Sequence, residues 1–105
     1  MQKKLYSLLL LLLFAVSVFS ATTGKITGKV MDAETGEPLP GTNVTIAGTK
    51  MGAATDTEGN YFIINVPPGI YTVSAKMMGY KTLKKENVQV NIDRTTTVNF
   101  SLTMT

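Results

Sequence analysis

Polar and hydrophobic residues alternate over short stretches of this chain, and each stretch is too short for a helix. In residues 25–30, Ile26 and Val30 fall on one side of an extended backbone, and Lys25 and Thr27 fall on the other. The same two-residue period predicts seven strands, over residues 25–30, 42–47, 53–55, 61–66, 70–77, 88–92 and 96–102. We expect one core, formed by the inward side chains Ile26, Val30, Val44, Ile46, Tyr71, Val73, Ala75, Val88, Val90, Ile92, Val98, Phe100 and Leu102, with Leu39 at its edge.

Turn signatures rich in glycine and proline separate the predicted strands. The three clearest occupy residues 32–41, 55–61 and 66–71. Proline lacks the amide donor that a strand ladder needs, and glycine accepts the positive φ of tight turns. The residues assigned to structural turns are Gly36, Pro38, Gly41, Asp56, Gly59, Pro68, Gly69 and Gly79. Seven short strands with turns at this spacing predict an all-β fold, an antiparallel β-sandwich of the immunoglobulin or prealbumin kind.

The predicted strand over residues 61–66 is hydrophobic on both faces. Tyr61, Ile63 and Val66 share one face, whereas Phe62 and Ile64 lie on the other. Such a strand is either central and covered on both sides, or it presents an apolar patch to a partner. We expect coverage by a loop or a neighbouring domain, and we keep Phe62 and Ile64 as the alternative partner surface.

The first twenty residues have the pattern of a secretory signal peptide. Lys3 and Lys4 precede an apolar run that is shorter than the about 20 residues needed to cross a bilayer. A polar stretch follows at once, and small residues favour cleavage after Ser20. We therefore expect residues 1–20 to be removed and residues 21–105 to form one exported domain.

Charge and cysteine content narrow the choice of partners. The whole chain carries a net charge of +3, but without Lys3 and Lys4 eight basic residues face seven acidic ones, which leaves +1. This charge gives no basic stripe of the kind that binds nucleic acid. Because the chain contains no cysteine, it can form neither a disulfide nor a lipid-modified cysteine anchor. The composition favours a bacterial exported protein.

The residue inventory also argues against catalysis. The chain has no histidine and no cysteine, which removes the commonest general base, the thiol nucleophile and the usual zinc ligands. Two carboxylate pairs remain, Glu34 with Glu37 and Asp56 with Glu58, and both lie in predicted turns that face water. The Asp56 segment offers too few oxygen ligands for calcium. We expect no enzyme activity, no metal site and no cofactor.

Several motifs resemble a known family. They are Gly28-Lys29-Val30, Asp32, the run from Thr35 to Gly41, Val44, Thr55-Asp56, Gly59, Tyr61, the run from Pro68 to Tyr71, and Gly79-Tyr80. Together they span most of residues 21–105 and resemble the carboxypeptidase regulatory-like domain family. The resemblance implies a transthyretin-like Greek-key β-sandwich. It implies no peptidase activity, because the family is named after a non-catalytic domain attached to metallocarboxypeptidases.

The resemblance also suggests a setting. A domain of this type directly after a signal peptide resembles the N-terminal extension of TonB-dependent outer-membrane receptors, which are common in Bacteroidetes-like bacteria. Such receptors continue into a plug and a barrel, so we expect this chain to be a fragment of a longer one. The leading hypothesis is an accessory or docking domain on the periplasmic side of the outer membrane. Its partner would be the receptor plug or barrel, or another envelope protein, and it would meet the membrane only through a downstream barrel.

The alternative hypothesis comes from a different class of protein. In it the domain is a free-standing, secreted or cell-surface module that binds glycan or protein. For glycan binding we would expect exposed rings such as Phe62 or Tyr80 on one ridge.

Overall fold

The computed structural model describes residues 22–105, so the predicted signal peptide lies outside the described residues. Every regular element in this part of the chain is a β-strand. The eight strands are β1 (Gly24–Asp32), β2 (Asn43–Ile46), β3 (Gly52–Ala54), β4 (Asn60–Val66), β5 (Gly69–Lys76), β6 (Leu83–Val90), β7 (Thr95–Thr97) and β8 (Phe100–Leu102).

The strands form two sheets. In the first sheet, β1 lies between β4 and β7 and also pairs with β8, and in the second sheet the order is β3-β2-β5-β6. All pairs in the second sheet are antiparallel, as is the pair of β1 with β4. The fold class is therefore confirmed as an all-β sandwich.

The strand count and the pairing of the last strand differ from the prediction. The single strand expected over residues 96–102 is divided into β7 and β8, and both run parallel to β1. Between them, Asn99 accepts the backbone N–H of Lys29 through its side-chain oxygen at 3.0 Å. Because this side chain takes the place of a backbone partner, the ladder is interrupted, and eight strands replace seven.

The core lies between the inner faces of the two sheets and agrees closely with the predicted pattern. Its buried hydrophobic residues are Ile26, Val30, Leu39, Val44, Ile46, Tyr61, Ile63, Val66, Val73, Ala75, Val88, Val90, Val98, Phe100 and Leu102. Tyr71 packs against this cluster while staying partly exposed. The prediction for Ile92 is wrong, because β6 ends at Val90 and Ile92 lies in the following turn, 48% exposed.

The start of β6 also differs from the prediction. The strand begins at Leu83, five residues before the predicted start at residue 88. A polar run fills the added part, so the alternation does not show there. Asn87 adopts a positive φ of 58°, and the register against β5 shifts between Tyr71 and Val73. A β-bulge thus interrupts this edge strand.

The predicted turn residues occupy several local structures. Gly36, Gly41, Gly59 and Gly79 have φ values between 73° and 86°. Asp56 accepts the backbone N–H groups of Glu58 and Asn60, each at 2.9 Å. Pro38 forms an isolated bridge with Met31. Gly69 is not part of the turn itself, because it is the first residue of β5 and only Pro67 and Pro68 separate β4 from β5.

Candidate docking surface

The outer face of β4 carries two exposed hydrophobic side chains. Phe62 and Ile64 are each 62% exposed, whereas Tyr61 and Ile63 of the same strand are buried in the core. Within residues 22–105 no loop covers this face, and its coverage by a neighbouring domain stays a prediction. The reason lies in the two-layer architecture, because β4 has the second sheet on its inner side only.

A β-bulge sets the direction of the side chains along β4. Ile26 pairs with Ile63 and Gly24 pairs with Val66, so three steps on β4 oppose two on β1. Asn65 absorbs the extra residue with a φ of 57°. The bulge returns Val66 to the core and leaves Ile64 on the outer face beside Phe62.

Tyr61 fixes β4 to the core directly beneath this face. Its hydroxyl donates to the carbonyl oxygen of Val98 at 2.5 Å, and its ring lies 6.3 Å from that of Phe100. Burial raises the pKa of the Tyr61 hydroxyl, so the group stays a donor at any ordinary pH. A methyl group at Gly28 would lie 1.8 Å from the Val98 oxygen, so only glycine permits this approach.

Polar and basic residues surround the hydrophobic pair. Phe62 is opposite Thr27 on β1, and Thr27 is opposite Thr97 on β7. A shallow depression of about 300 Å³ joins Ile64 to Lys25, Arg94 and Asp93, among other residues. A second depression of about 220 Å³ joins Phe62 to Lys29, Asn60 and Asn99, among others. The sequence analysis did not assign Lys25, Lys29 or Arg94 to a site, because only the register of β1 with β4 and the loop before β7 bring them beside Phe62 and Ile64.

A third depression lies in another part of the fold, around Tyr80. Tyr80 lines it together with Lys76, Met77, Met78 and others, in a volume of about 650 Å³. Phe62 lines a different depression, so the two aromatic residues named for glycan binding lie in separate regions of the surface.

A hydrogen bond to Asp32 holds Tyr80 in place. No pattern in the sequence indicates this bond, because the two residues are 48 positions apart. The Tyr80 hydroxyl donates to Asp32 Oδ2 at 2.7 Å, and the backbone N–H groups of Glu34 and Thr35 donate to Oδ1 at 2.8 and 3.1 Å. These donors, the Tyr80 hydroxyl above all, lower the pKa of the Asp32 carboxyl. The same bond raises the pKa of Tyr80. The arrangement is structural, since it fills both carboxylate oxygens with donors.

The carboxylate pairs Glu34 with Glu37 and Asp56 with Glu58 lie between the strands. Within residues 22–105, no group of three or more acidic side chains is arranged to hold a metal ion. Asp56 instead closes the turn before β4 through its two hydrogen bonds to backbone groups. In the same part of the chain, no helix has the length and hydrophobicity needed to span a membrane.

Comparison with known proteins places this fold in a family. Carboxypeptidase D of Anas platyrhynchos is 38% identical over 77 residues, which are 73% of this chain and 6% of that protein. The TonB-dependent transporter Oar of Myxococcus xanthus is 32% identical over 95 residues, 87% of this chain and 9% of that protein. The chain thus spans less than a tenth of the length of either relative.

A solved structure shows the same architecture. It is the type II cohesin–X-dockerin complex of Acetivibrio cellulolyticus, in an N-terminal interface mutant, with a TM-score of 0.62 and 28% sequence identity. The match covers 77% of this chain and 56% of that one. The carboxypeptidase regulatory-like domain model matches residues 25–103, and this chain belongs to that family.

Proposed function

We propose that this domain is a non-catalytic accessory module of a TonB-dependent outer-membrane receptor, where it acts as a folded spacer or protein-docking domain ahead of the plug. The observation that carries the proposal is the similarity to the transporter Oar over 87% of this chain. That similarity covers only 9% of the transporter, as expected for one module of a much larger protein. The exposed pair Phe62 and Ile64 supports docking, because a domain that only spaces other parts needs no apolar outer face.

Non-catalytic action is consistent with the chemistry of the chain. The relative carboxypeptidase D is matched over 6% of its length, and the matching family is a regulatory-like one. The whole chain contains no histidine and no cysteine. Asp32 accepts hydrogen bonds from within the fold at both carboxylate oxygens, and Asp56 accepts two backbone N–H groups at Oδ1.

The location in the cell is part of the same proposal. We infer that residues 1–20 are a signal peptide and that the domain, from residue 21 onward, lies on the periplasmic side of the outer membrane. The Lys3-Lys4 pair and the apolar run after it support export.

The alternative is a free-standing or cell-surface binding module. The similarity to a chain of a cohesin–X-dockerin complex supports it, since that protein was solved in a complex with an interface. In this case the outer face of β4 would bind a protein that is not part of a TonB-dependent receptor, or it would bind a glycan.

Cell fractionation distinguishes the two functions. An antibody raised against residues 22–105 is used to blot outer-membrane, periplasmic and secreted fractions, with a strain that lacks the gene as the control. The receptor function predicts a band many times larger than this chain in the outer membrane. A small soluble species in the periplasm or the medium would contradict it and favour the free module.

A further inference from the structure

We propose that the outer face of the first sheet binds a protein segment that carries both apolar and acidic side chains. This outer face is formed by Phe62, Ile64, Lys25, Lys29 and Arg94. The inference rests on the docking function proposed above and specifies the chemistry of the partner.

The charged residues around Phe62 and Ile64 indicate which charge the partner should carry. Among the residues that line the two depressions, Lys25, Lys29 and Arg94 are cationic, and Asp93 is the single carboxylate. Lys25 and Arg94 are exposed, and Lys29 is half-buried. A guanidinium group next to an apolar side chain suits a carboxylate on a chain that also brings an apolar residue. The domain as a whole is nearly neutral, so this local excess is a property of the face.

The register fixes the spacing that a partner must match. Lys25, Thr27 and Lys29 alternate outward along β1, because Ile26 and Val30 between and beyond them are buried. Phe62 stands opposite Thr27, midway between the two lysines along β1. A partner that places an apolar side chain on Phe62 therefore meets a cation on either side of it.

Two other uses of this face fit the structure less well. Strand addition along β4 would need a long free edge, and the bulge at Asn65 interrupts that edge after Ile63. Membrane binding scales with buried apolar area, and only two large apolar side chains stand out here, next to Thr27 and Lys25. Docking of the face against a folded or extended acidic segment uses all five side chains.

Site-specific photocrosslinking tests the proposal in the native full-length polypeptide. The photoreactive residue p-benzoylphenylalanine replaces Phe62, and in a matched control it replaces Thr45, an exposed outward residue in the middle of β2 on the opposite sheet. After irradiation of living cells, mass spectrometry identifies the attached peptide. The reaction is repeated at high salt and in the Lys25→Glu/Arg94→Glu background, with Lys84→Glu on the second sheet as the charge control.

We expect attachment from position 62 and not from position 45, to a peptide of net negative charge. The yield should fall roughly tenfold in the Lys25→Glu/Arg94→Glu background and also at high salt, and Lys84→Glu should leave it unchanged. A neutral or basic attached peptide, a yield that ignores salt and charge reversal, or attachment to lipid or glycan would overturn the proposal. Failure of the receptor function itself would show separately, as a small soluble species in the fractionation.

Discussion

The two sheets of this sandwich have similar inner faces and different outer faces. The second sheet presents polar rows to solvent, such as Thr45, Ser74 and Lys84 on neighbouring strands. Its one large exposed apolar residue, Ile70, is the second residue of β5. The first sheet places Phe62 and Ile64 side by side on the outer face of its edge strand. Because the core lies entirely between the sheets, the outer faces contribute little to folding, and the difference between them points to function.

One edge strand of each sheet, β4 in the first and β6 in the second, carries a β-bulge. β4 carries a bulge with Asn65 at a φ of 57°, and β6 carries one with Asn87 at 58°. A bulge twists the strand and breaks the row of free backbone groups, which discourages pairing with another chain. These two edges are thus protected in the same way, and of the two strands only β4 adds a pair of large apolar side chains on its outer face.

In the first sheet, Gly28 packs directly against the backbone of Val98, and replacing this glycine should have the largest effect on stability. In Gly28→Ala, the new methyl group would meet the Val98 oxygen at 1.8 Å, so β1 and the segment before β8 must separate. We expect a loss of about 3 kcal/mol or more in the free energy of unfolding, measured by denaturant titration. The control Gly36→Ala meets open space and has only its φ of 73° to accommodate, at a cost of about 1 kcal/mol. Equal losses in the two variants would contradict this account.

The next effect compares one tyrosine in each sheet, Tyr61, which is buried, and Tyr71, which is partly exposed. Tyr61→Phe removes the hydrogen bond to Val98 from the core and leaves a buried carbonyl without that donor. We expect a loss of about 1–2 kcal/mol in the free energy of unfolding. Tyr71→Phe is the matched control, because its hydroxyl donates to Pro67 at an exposed position and water can replace it. The explanation fails if Tyr71→Phe costs as much as Tyr61→Phe.

The bond between Asp32 and Tyr80 should make stability depend on pH. The pKa of folded Asp32 lies below the ordinary value of 3.8, so its stabilisation is complete above that pH and is lost as pH falls through the lower, folded-state pKa. Tyr80 has a raised pKa, so its contribution is complete below pH 10 and is lost as pH rises through the folded-state pKa. Denaturant unfolding across pH should show both trends.

The variant Tyr80→Phe separates this bond from the other ionisable groups. It should reduce the acid-induced loss of stability, because Asp32 then keeps only its backbone donors, and it should remove the loss above pH 10 that Tyr80 causes. Unchanged pH dependence in Tyr80→Phe would show that the bond does not contribute.

The smallest effect on stability is expected at the outer face itself. Phe62→Ser and Ile64→Ser each replace a side chain that is 62% exposed, so the free energy of unfolding should change by about 0.5 kcal/mol or less. Circular dichroism and thermal unfolding of the purified variants provide the measurement. If the variants became insoluble, or if their unfolding were no longer cooperative, these residues would belong to a packed interior.

Much of the fold could be predicted from the sequence, because alternation and turn chemistry are local signals. Ile26, Val30, Val44 and Ile46 face the core as the pattern indicates. The polar start of β6 was missed because edge strands can hold charged residues on both sides.

The remaining errors come from long-range structure. The break at Asn99 depends on a hydrogen bond to Lys29, 70 residues earlier in the chain. Likewise, the exposure of Phe62 depends on the packing of only two sheets, which covers β4 on its inner face alone and cannot be deduced from the alternation of one segment. The basic residues of the outer face are brought together only by the register of β1 with β4 and by the loop before β7.

The most direct test of the functional difference between the two sheets is a comparison in living cells. The double variant Phe62→Ser/Ile64→Ser and the control Thr45→Ala/Ser74→Ala are introduced into the native gene, and growth that depends on that gene is measured at equal protein levels in the same cell fraction. This account predicts that the first variant loses the growth and the control keeps it. Full growth of the Phe62→Ser/Ile64→Ser strain would contradict a functional role for the outer face.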